Sequence, residues 1–279
     1  MDETAGRIRR YYDVLADGEW DRLFATFRGQ VSFEVHSRLL GEFVRPGDRV
    51  LEIGAGAGRF TIALAEQGAT VVVTDISDVQ LSLNRTHVQE AGLESAVEDR
   101  FILDVRDTTQ LGRGEFDAVV AFGGPLSYAF EETQDALSGL LRAGEVVLAS
   151  VMSTLGTWRF FLADIIDQAA LIGQDATDAI FETGDLRHSG PDARHVCQMF
   201  RSRELTELVS ACGARLLAIS ASNCASMTDE TILARLVADP DHWHRFIDHE
   251  LSACREPGAL DGGSHILFAA EQTTHHGRR

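Results

Sequence analysis

The stretch Val50-Leu51-Glu52-Ile53-Gly54-Ala55-Gly56-Ala57-Gly58-Arg59-Phe60 constrains the fold more than any other part of the chain. A short apolar strand pattern runs without a linker into three alternating glycines and then into a helical pattern. Glycine takes φ > 0 and lets the backbone approach a ligand with no Cβ in the way. The helix that follows presents free N–H groups and the positive end of its dipole. The stretch therefore reads as a nucleotide-cradling turn. Its spacing narrows the ligand, because a dinucleotide fingerprint puts glycine at the first, third and sixth positions to seat a pyrophosphate. Counting from Gly54, the sixth position is Arg59, which argues against a pyrophosphate.

The helix from Phe60 to Gln67 closes at Gly68, a favoured helix-terminating residue. Thr70 to Thr74 then reads as a buried strand ending at Asp75. This acid stands about twenty positions beyond the first glycine, the distance at which a second strand end brings a carboxylate to a ribose diol. Two hydroxyls on one carboxylate make a charge-assisted pair of hydrogen bonds. Ser77 or Asp78 suits the cap of the next helix, Val79 to Ala91, better than Asp75 does. A third strand around Arg100 to Leu103 ends at Asp104-Val105, and a fourth, Phe116 to Phe122, ends in Gly123-Gly124-Pro125. Open α/β sheets bind ligands at the carboxyl ends of their strands, and all these candidates lie there. Asp117 begins its strand at the opposite edge and reads as structural.

Glu52-x-Gly54-x-Gly56-x-Gly58, with acids closing the next two strands, resembles motif I and its flanks in the class I S-adenosylmethionine-dependent methyltransferases. The resemblance spans about residues 45 to 155 and, more weakly, the carboxy-terminal strands. It implies an α/β fold with a doubly wound, seven-stranded, mostly parallel sheet, the last strand antiparallel, and helical lid insertions. The implied cofactor is S-adenosylmethionine, leaving as S-adenosylhomocysteine. A carboxylate at Glu52 suits a cofactor with a sulfonium and a zwitterionic tail, and Gly54, Ala55, Gly56 and Gly58 would cradle it. Carried over residue by residue, Asp75 and Ile76 meet the ribose, Asp104 and Val105 the adenine, and Phe122 and Gly123, with Gly124, border the transferred methyl. In such enzymes a tyrosine near the start reaches the cofactor carboxylate, a role open to Tyr11 or Tyr12. Tyr11 is assigned to the cofactor and Tyr12 to the acceptor.

The whole chain, residues 1–279, reads as one domain. Residues 1–45 form an amino-terminal helical lid and 46–152 the cofactor-binding core. Residues 153–200 form an insertion over the substrate, 201–223 and 264–272 return to the sheet, and 224–263 make a second helical insertion. A helix is expected over Phe130 to Leu141. The first insertion is expected to hold one helix, with Phe161, Ile165, Ala169 and Ile172 on one face, followed by an irregular stretch from Thr183 to Cys197. In the second, Asp239-Pro240 caps and opens a helix whose Trp243, Phe246, Ile247 and Leu251 share a face, turned inward or toward a second subunit.

A formal net charge of −18 argues against nucleic-acid binding, which rests on lysine and arginine neutralising phosphates. Arg7, Arg9 and Arg10 read as a solvated helix face, and strand four lacks a D/N-P-P-Y/F motif. The expected partner is a small-molecule methyl acceptor, with no nucleic acid and no membrane, on a monomer or homodimer. No run of eighteen apolar residues occurs, and Met1-Asp2-Glu3-Thr4 is too acidic for a signal peptide, so a cytoplasmic protein is expected. Cys197, Cys212, Cys224 and Cys254 form no C-x-x-C pair and read as packing thiols. His275-His276-Gly277-Arg278-Arg279 reads as a tail.

The chemistry implied is in-line displacement by an oxygen, nitrogen or carbon nucleophile. Alignment alone supplies roughly 7 to 11 kcal/mol, whereas a general base adds about 10² to 10⁴-fold, so a base helps without being obligatory. His36, on a leading helix, and His195, in the irregular stretch, are the candidate bases. Trp158, Arg159 and His188 are candidates for holding the acceptor. His242, His244 and His249 share helical spacing without a carboxylate constellation, and no metal is expected. Two other readings stay open. One is a non-catalytic protein that binds the adenosyl cofactor, and the other is an NAD(P)-dependent oxidoreductase on the same sheet.

Overall fold

The computed structural model describes residues 3–16, 18–190, 193 and 195–273. The tail read at His275 to Arg279 and the acidic start at Met1 and Asp2 lie outside the described residues.

Three helices lead, α1 (Glu3–Leu15), α2 (Gly18–Arg22) and α3 (Phe27–Phe43), followed by β1 (Arg49–Ile53), α4 (Arg59–Glu66), β2 (Thr70–Asp75), α5 (Asp78–Glu90), β3 (Val97–Ile102) and β4 (Phe116–Ala121). Then come α6 (Thr133–Ala143), β5 (Gly144–Met152), α7 (Thr154–Phe160), α8 (Leu162–Ile172), α9 (Gln174–Thr183), α10 (Ser202–Ala211) and β6 (Ala214–Ala221). The chain ends in α11 (Glu230–Val237), α12 (Pro240–Ala253) and β7 (His265–Gln272). The sheet has the order β3-β2-β1-β4-β5-β7-β6. Six strands run in one direction, and β7 lies antiparallel between β5 and β6. The order reverses between β1 and β4, the switch point at which such sheets open a crevice.

Side chains alternate across each strand, and the sheet is covered on both faces accordingly. Val50, Val71, Val73, Val120 and Leu148 pack against Val35, Leu39 and Leu40 of α3 and Leu64 of α4. Leu51, Ile53, Val72, Val119 and Val147 pack against Leu137 and Leu140 of α6 and Leu205 of α10. Burial on both faces is why the strands read as continuous apolar runs rather than alternating ones. Trp243, Phe246 and Leu251 of α12 join the first of these clusters around buried Ile247, so that face turns inward.

Local structure departs from expectation in two places. Helix α6 starts at Thr133 rather than Phe130, because Phe130 sits at φ 49 and the chain passes through a short 3₁₀ turn first. The first insertion holds three helices, not one. The breaks fall at Phe161 (φ −102, ψ 27) and at Gly173 (φ 88, ψ 161), which a 3.6-residue pattern passes over.

The glycine turn is fixed from beneath. Glu52 is buried, and its Oε2 accepts a 2.5 Å hydrogen bond from the Thr61 hydroxyl of α4. Asn84 of α5 donates to that hydroxyl at 2.7 Å, and Arg100 of β3 donates to Asn84 at 3.0 Å. Four elements are joined by one buried polar chain. Burial raises the Glu52 carboxyl to about 8, while the Thr61 hydrogen bond opposes the shift. The folded state thus holds a proton that the unfolded chain releases near pH 4.5. Stability conferred by that proton is present in acid and lost as pH rises through the interval up to about 8. We expect Glu52→Gln to flatten this dependence. In denaturant titrations, the stability of the native chain minus that of the variant should fall between pH 5 and 8.5, and an unchanged difference would contradict the assignment.

Gly54 has φ 67, and a Cβ there would lie 2.6 Å from Pro125 Cγ. Gly92 has a similar φ of 73 with nothing within 4 Å. A left-handed non-glycine residue costs about 1 to 3 kcal/mol, so Gly92→Ala should lower the thermal midpoint modestly. Gly54→Ala should lower it further, because steric overlap adds to the strain.

Candidate active site

At the carboxyl edge of β1, the glycine turn is left-handed at Gly54, Gly56 and Gly58, with φ 67, 53 and 104. Asp75 closes it from the end of β2. Its Oδ2 accepts from the Gly56 amide at 2.9 Å and its Oδ1 from the Ser77 amide at 2.9 Å, while Ser77 caps α5. Burial lifts the Asp75 carboxyl to about 6, held back by those amide bonds. The crevice above is lined by Gly54, Ala55, Gly56 and Gly58, by Asp75 and Ile76, by Asp104, Val105 and Arg106, and by Phe122 and Gly123. Each carboxylate oxygen of Asp75 keeps a lone pair beyond its amide bond. A Cβ at Gly56 would project to within 3.3 Å of Glu19, narrowing the mouth. Asp104 is aligned by Arg106, whose amide donates to Oδ1 at 3.0 Å and whose guanidinium reaches Oδ2 at 2.7 Å. This set, a diol-sized carboxylate, a second acid one strand further out and an apolar floor, fits an adenosyl group.

The roof comes from α1 and α2. The Arg59 guanidinium lies 3.4 Å from the centroid of the Trp20 ring, and its Nε donates to the Trp20 carbonyl at 3.0 Å. Trp20 stacks on His87 of α5 at 3.8 Å. Gln80 donates to the carbonyls of Tyr12 and Ala16, and Arg9 pairs with Asp78. These ties place Glu19 and Arg22 over the turn as a two-bond ion pair, 2.8 and 2.7 Å. Arg22 counts as exposed, yet it borders both cavities, so part of its open surface faces the interior.

A second chamber of about 550 Å³ adjoins the crevice and shares Tyr12, Glu19, Arg22, Leu23, Gly123 and Tyr128 with it. Its walls include Tyr11, Met152, Trp158, Phe161, Ile165, Phe181, His195 and His265. The Tyr12 and Tyr128 hydroxyls are hydrogen-bonded at 2.5 Å, and Tyr128 meets His195 Nε2 at 2.9 Å. Burial lowers His195 to about 4, with Arg22 adding to the effect, so its imidazole is neutral at physiological pH. Burial raises both Tyr12 and Tyr128, so their hydroxyls stay protonated.

Several expected residues lie elsewhere. Glu52 sits under the turn and does not line the crevice, because the pleat that points Leu51 and Ile53 toward α6 points Glu52 at Thr61. Tyr11 reaches the chamber only, its ring tilted against His195 at 4.9 Å, whereas Tyr12 borders both cavities. His36 is buried against Phe60 and Phe122 with Nδ1 on the Ser32 carbonyl at 2.7 Å, and lines neither cavity. Burial lowers it to about 4. His188 is exposed on a 3₁₀ turn, and Arg159 is exposed on α7 away from both cavities. Trp158 does line the chamber, edge-on to Phe181 at 4.7 Å. Glu19, Arg22 and Tyr128 carried no motif that sequence reasoning could use. Their one signal was a charged pair three residues apart around Trp20.

Residues 50–144 match the family model described as a methyltransferase domain. The magnesium-protoporphyrin O-methyltransferase of Synechocystis sp. is 27% identical over 165 residues, covering 53% of this chain and 69% of that protein. The ubiquinone biosynthesis O-methyltransferase of Dinoroseobacter shibae is 32% identical over 117 residues, covering 38% of this chain and 42% of that one. The chain therefore spans less than half the length of the latter relative. Among solved structures, magnesium protoporphyrin IX methyltransferase from Synechocystis with bound S-adenosylhomocysteine superposes with a TM-score of 0.58 at 17% identity, covering 95% of this chain and 98% of that one. The [4+2]-cyclase SpnF superposes with a TM-score of 0.51 at 15% identity, covering 85% and 80%. By its name that neighbour is a cyclase, so the shared fold does not by itself set the reaction. Taken with the glycine turn and the sheet order, these likenesses assign residues 50–144 to a methyltransferase domain, on a sheet of the class I S-adenosylmethionine-dependent methyltransferase type.

Proposed function

We propose that this protein transfers a methyl group from S-adenosylmethionine to an oxygen, nitrogen or carbon nucleophile of a small metabolite. The observation that carries the reading is the junction at Tyr12, Arg22 and Gly123, where a crevice floored by the glycine turn and Asp75 opens into a separate chamber. A net charge of −18 favours a small-molecule acceptor over a nucleic acid. The names of the two O-methyltransferase relatives, one for magnesium-protoporphyrin and one for ubiquinone biosynthesis, agree with that class. Residues 1–45 and 153–200 act as lids on this reading, the first over the cofactor and the second over the acceptor.

The bound cofactor supplies a methyl group activated by its sulfonium. The chain supplies position and a path for a proton. Asp75 holds the ribose diol, Asp104 meets the adenine edge, and Ile76, Val105 and Phe122 exclude water from the crevice. For an acceptor hydroxyl, the Tyr12 oxygen takes the proton as the methyl–oxygen bond forms. Tyr12 passes its own proton to Tyr128, and Tyr128 passes one to His195 Nε2. A neutral, weakly basic imidazole is sufficient, because the alkylated oxygen is far more acidic than an imidazolium.

Calorimetric titration with S-adenosylhomocysteine tests the cofactor site, with NADH as comparator. Micromolar affinity for the first and none for the second is expected. Binding of NADH alone would point to the oxidoreductase reading. A diol donates to the ionised carboxylate, so affinity should be full above the Asp75 value of about 6 and decline as pH falls through it. Asp75→Asn should cost about tenfold or more, in line with hydrogen bonds to a charged group, and should remove that pH dependence. Tight cofactor binding without methyl transfer to any acceptor would favour the non-catalytic reading.

A further inference from the structure

The second chamber has a composition that selects its occupant. Phe161 at the N-cap of α8 lines it, together with Ile165, Gln168 and Ile172, which stand three and four residues apart on one face of the helix. Helix α8 is rich in apolar residues, yet it contains no buried residue. Its inward face borders the chamber, and of that face only Ile172, at the end of the helix, also packs against a buried cluster. Opposite stand Met152 and Met199, unbranched side chains that adapt to irregular apolar shapes. The Thr154 hydroxyl adds a polar mark. It lines the chamber, the residue is 2% exposed, and Oγ1 has no hydrogen-bond partner. A buried hydroxyl left unpaired is unfavourable, and an oxygen on a ligand would pair it. Of the fixed charges at the chamber, Glu19 pairs with Arg22 and Arg28 with Glu230, which leaves Asp164, exposed in the first turn of α8, as the one wall charge without an ion pair among the described residues.

The geometry points to a large, mainly apolar acceptor of multi-ring or comparable bulk, carrying at least one hydroxyl, held between α8 and the sheet edge. This rests on the methyl-transfer reading. A chamber of about 550 Å³ falls within the range of about 300 to 1,000 Å³ that suits drug-sized ligands. A single-ring polar acceptor would leave most of α8's inner face against water. Continuity with the crevice at Gly123 and Tyr12 puts the near end of such a molecule beside the methyl donor.

Two adjacent positions on α8 give a matched test. Ile165 lines the chamber, whereas Ile166 is 62% exposed. The full-length chain, with and without S-adenosylhomocysteine, is titrated with the apolar fluorophore N-phenyl-1-naphthylamine. The probe is then displaced by estradiol, a four-ring phenol, or by phenol itself. One probe per chain is expected, with estradiol displacing it at least tenfold more effectively than phenol. Ile165→Gln and Phe161→Gln should each weaken probe binding about tenfold, and Ile166→Gln should leave it within twofold. Loss confined to Ile166→Gln would place the probe on the outer stripe and overturn the proposal. Equal displacement by phenol, or no binding, would also overturn it. Circular dichroism and thermal melts identify a variant that has not folded, in which case the other inward substitution decides. Binding of S-adenosylhomocysteine is measured separately on every variant, so loss of the cofactor reading registers there and not in the probe titration.

Discussion

The carboxylate of Asp75 is the point on which the site depends. One oxygen receives the amide of Gly56 and the other the amide of Ser77, so a single buried side chain ties the turn after β1 to the helix cap after β2. Two amide donors offset part of the desolvation of that charge. Without them, the turn would lose its register against the neighbouring strand, and the crevice would lose its floor. Glu52 does complementary work from below, through uncharged hydrogen bonds that join the sheet to α4 and α5.

Much of the fold was legible because it follows from local rules. The strand-to-glycine transition, the acids at strand ends and the caps at Ser77 and Asp239 each have a physical cause within a few residues of sequence. Parallel strands buried on both faces announce themselves as apolar runs, and β1, β2, β4 and β5 did so. The crevice residues from Gly54 to Gly123 were found for the same reason, since a sheet's carboxyl edge is defined by topology alone. The misplacements share a different cause. Glu52 and His36 carry suitable chemistry, but their direction is set by strand pleat and helix rotation in three dimensions. The three-helix insertion depends on single backbone breaks at Phe161 and Gly173 that periodicity does not register.

Residues absent from the sequence reading are equally instructive. Glu19, Arg22 and Tyr128 come from a five-residue helix and a 3₁₀ turn, elements too short to carry a pattern. They converge because Trp20 is sandwiched between Arg59 and His87, an arrangement of aromatic and cationic faces with no signature in the spacing. Tyr128 reaches His195 across the insertion, so the hydrogen-bonded chain from Tyr12 to His195 spans three separate parts of the sequence.

Arg59 was first met as the residue that spoils a dinucleotide fingerprint. In the folded protein it also grips Trp20 and so latches α2 over the turn. The two properties reside in one side chain and cannot be adjusted independently. A glycine there would restore the fingerprint spacing and at the same stroke unfasten the roof that carries Glu19 and Arg22. Conversion of this scaffold toward pyrophosphate-bearing cofactors is thereby opposed by its architecture as well as its chemistry, and any route to such a change has to rebuild the amino-terminal helices first.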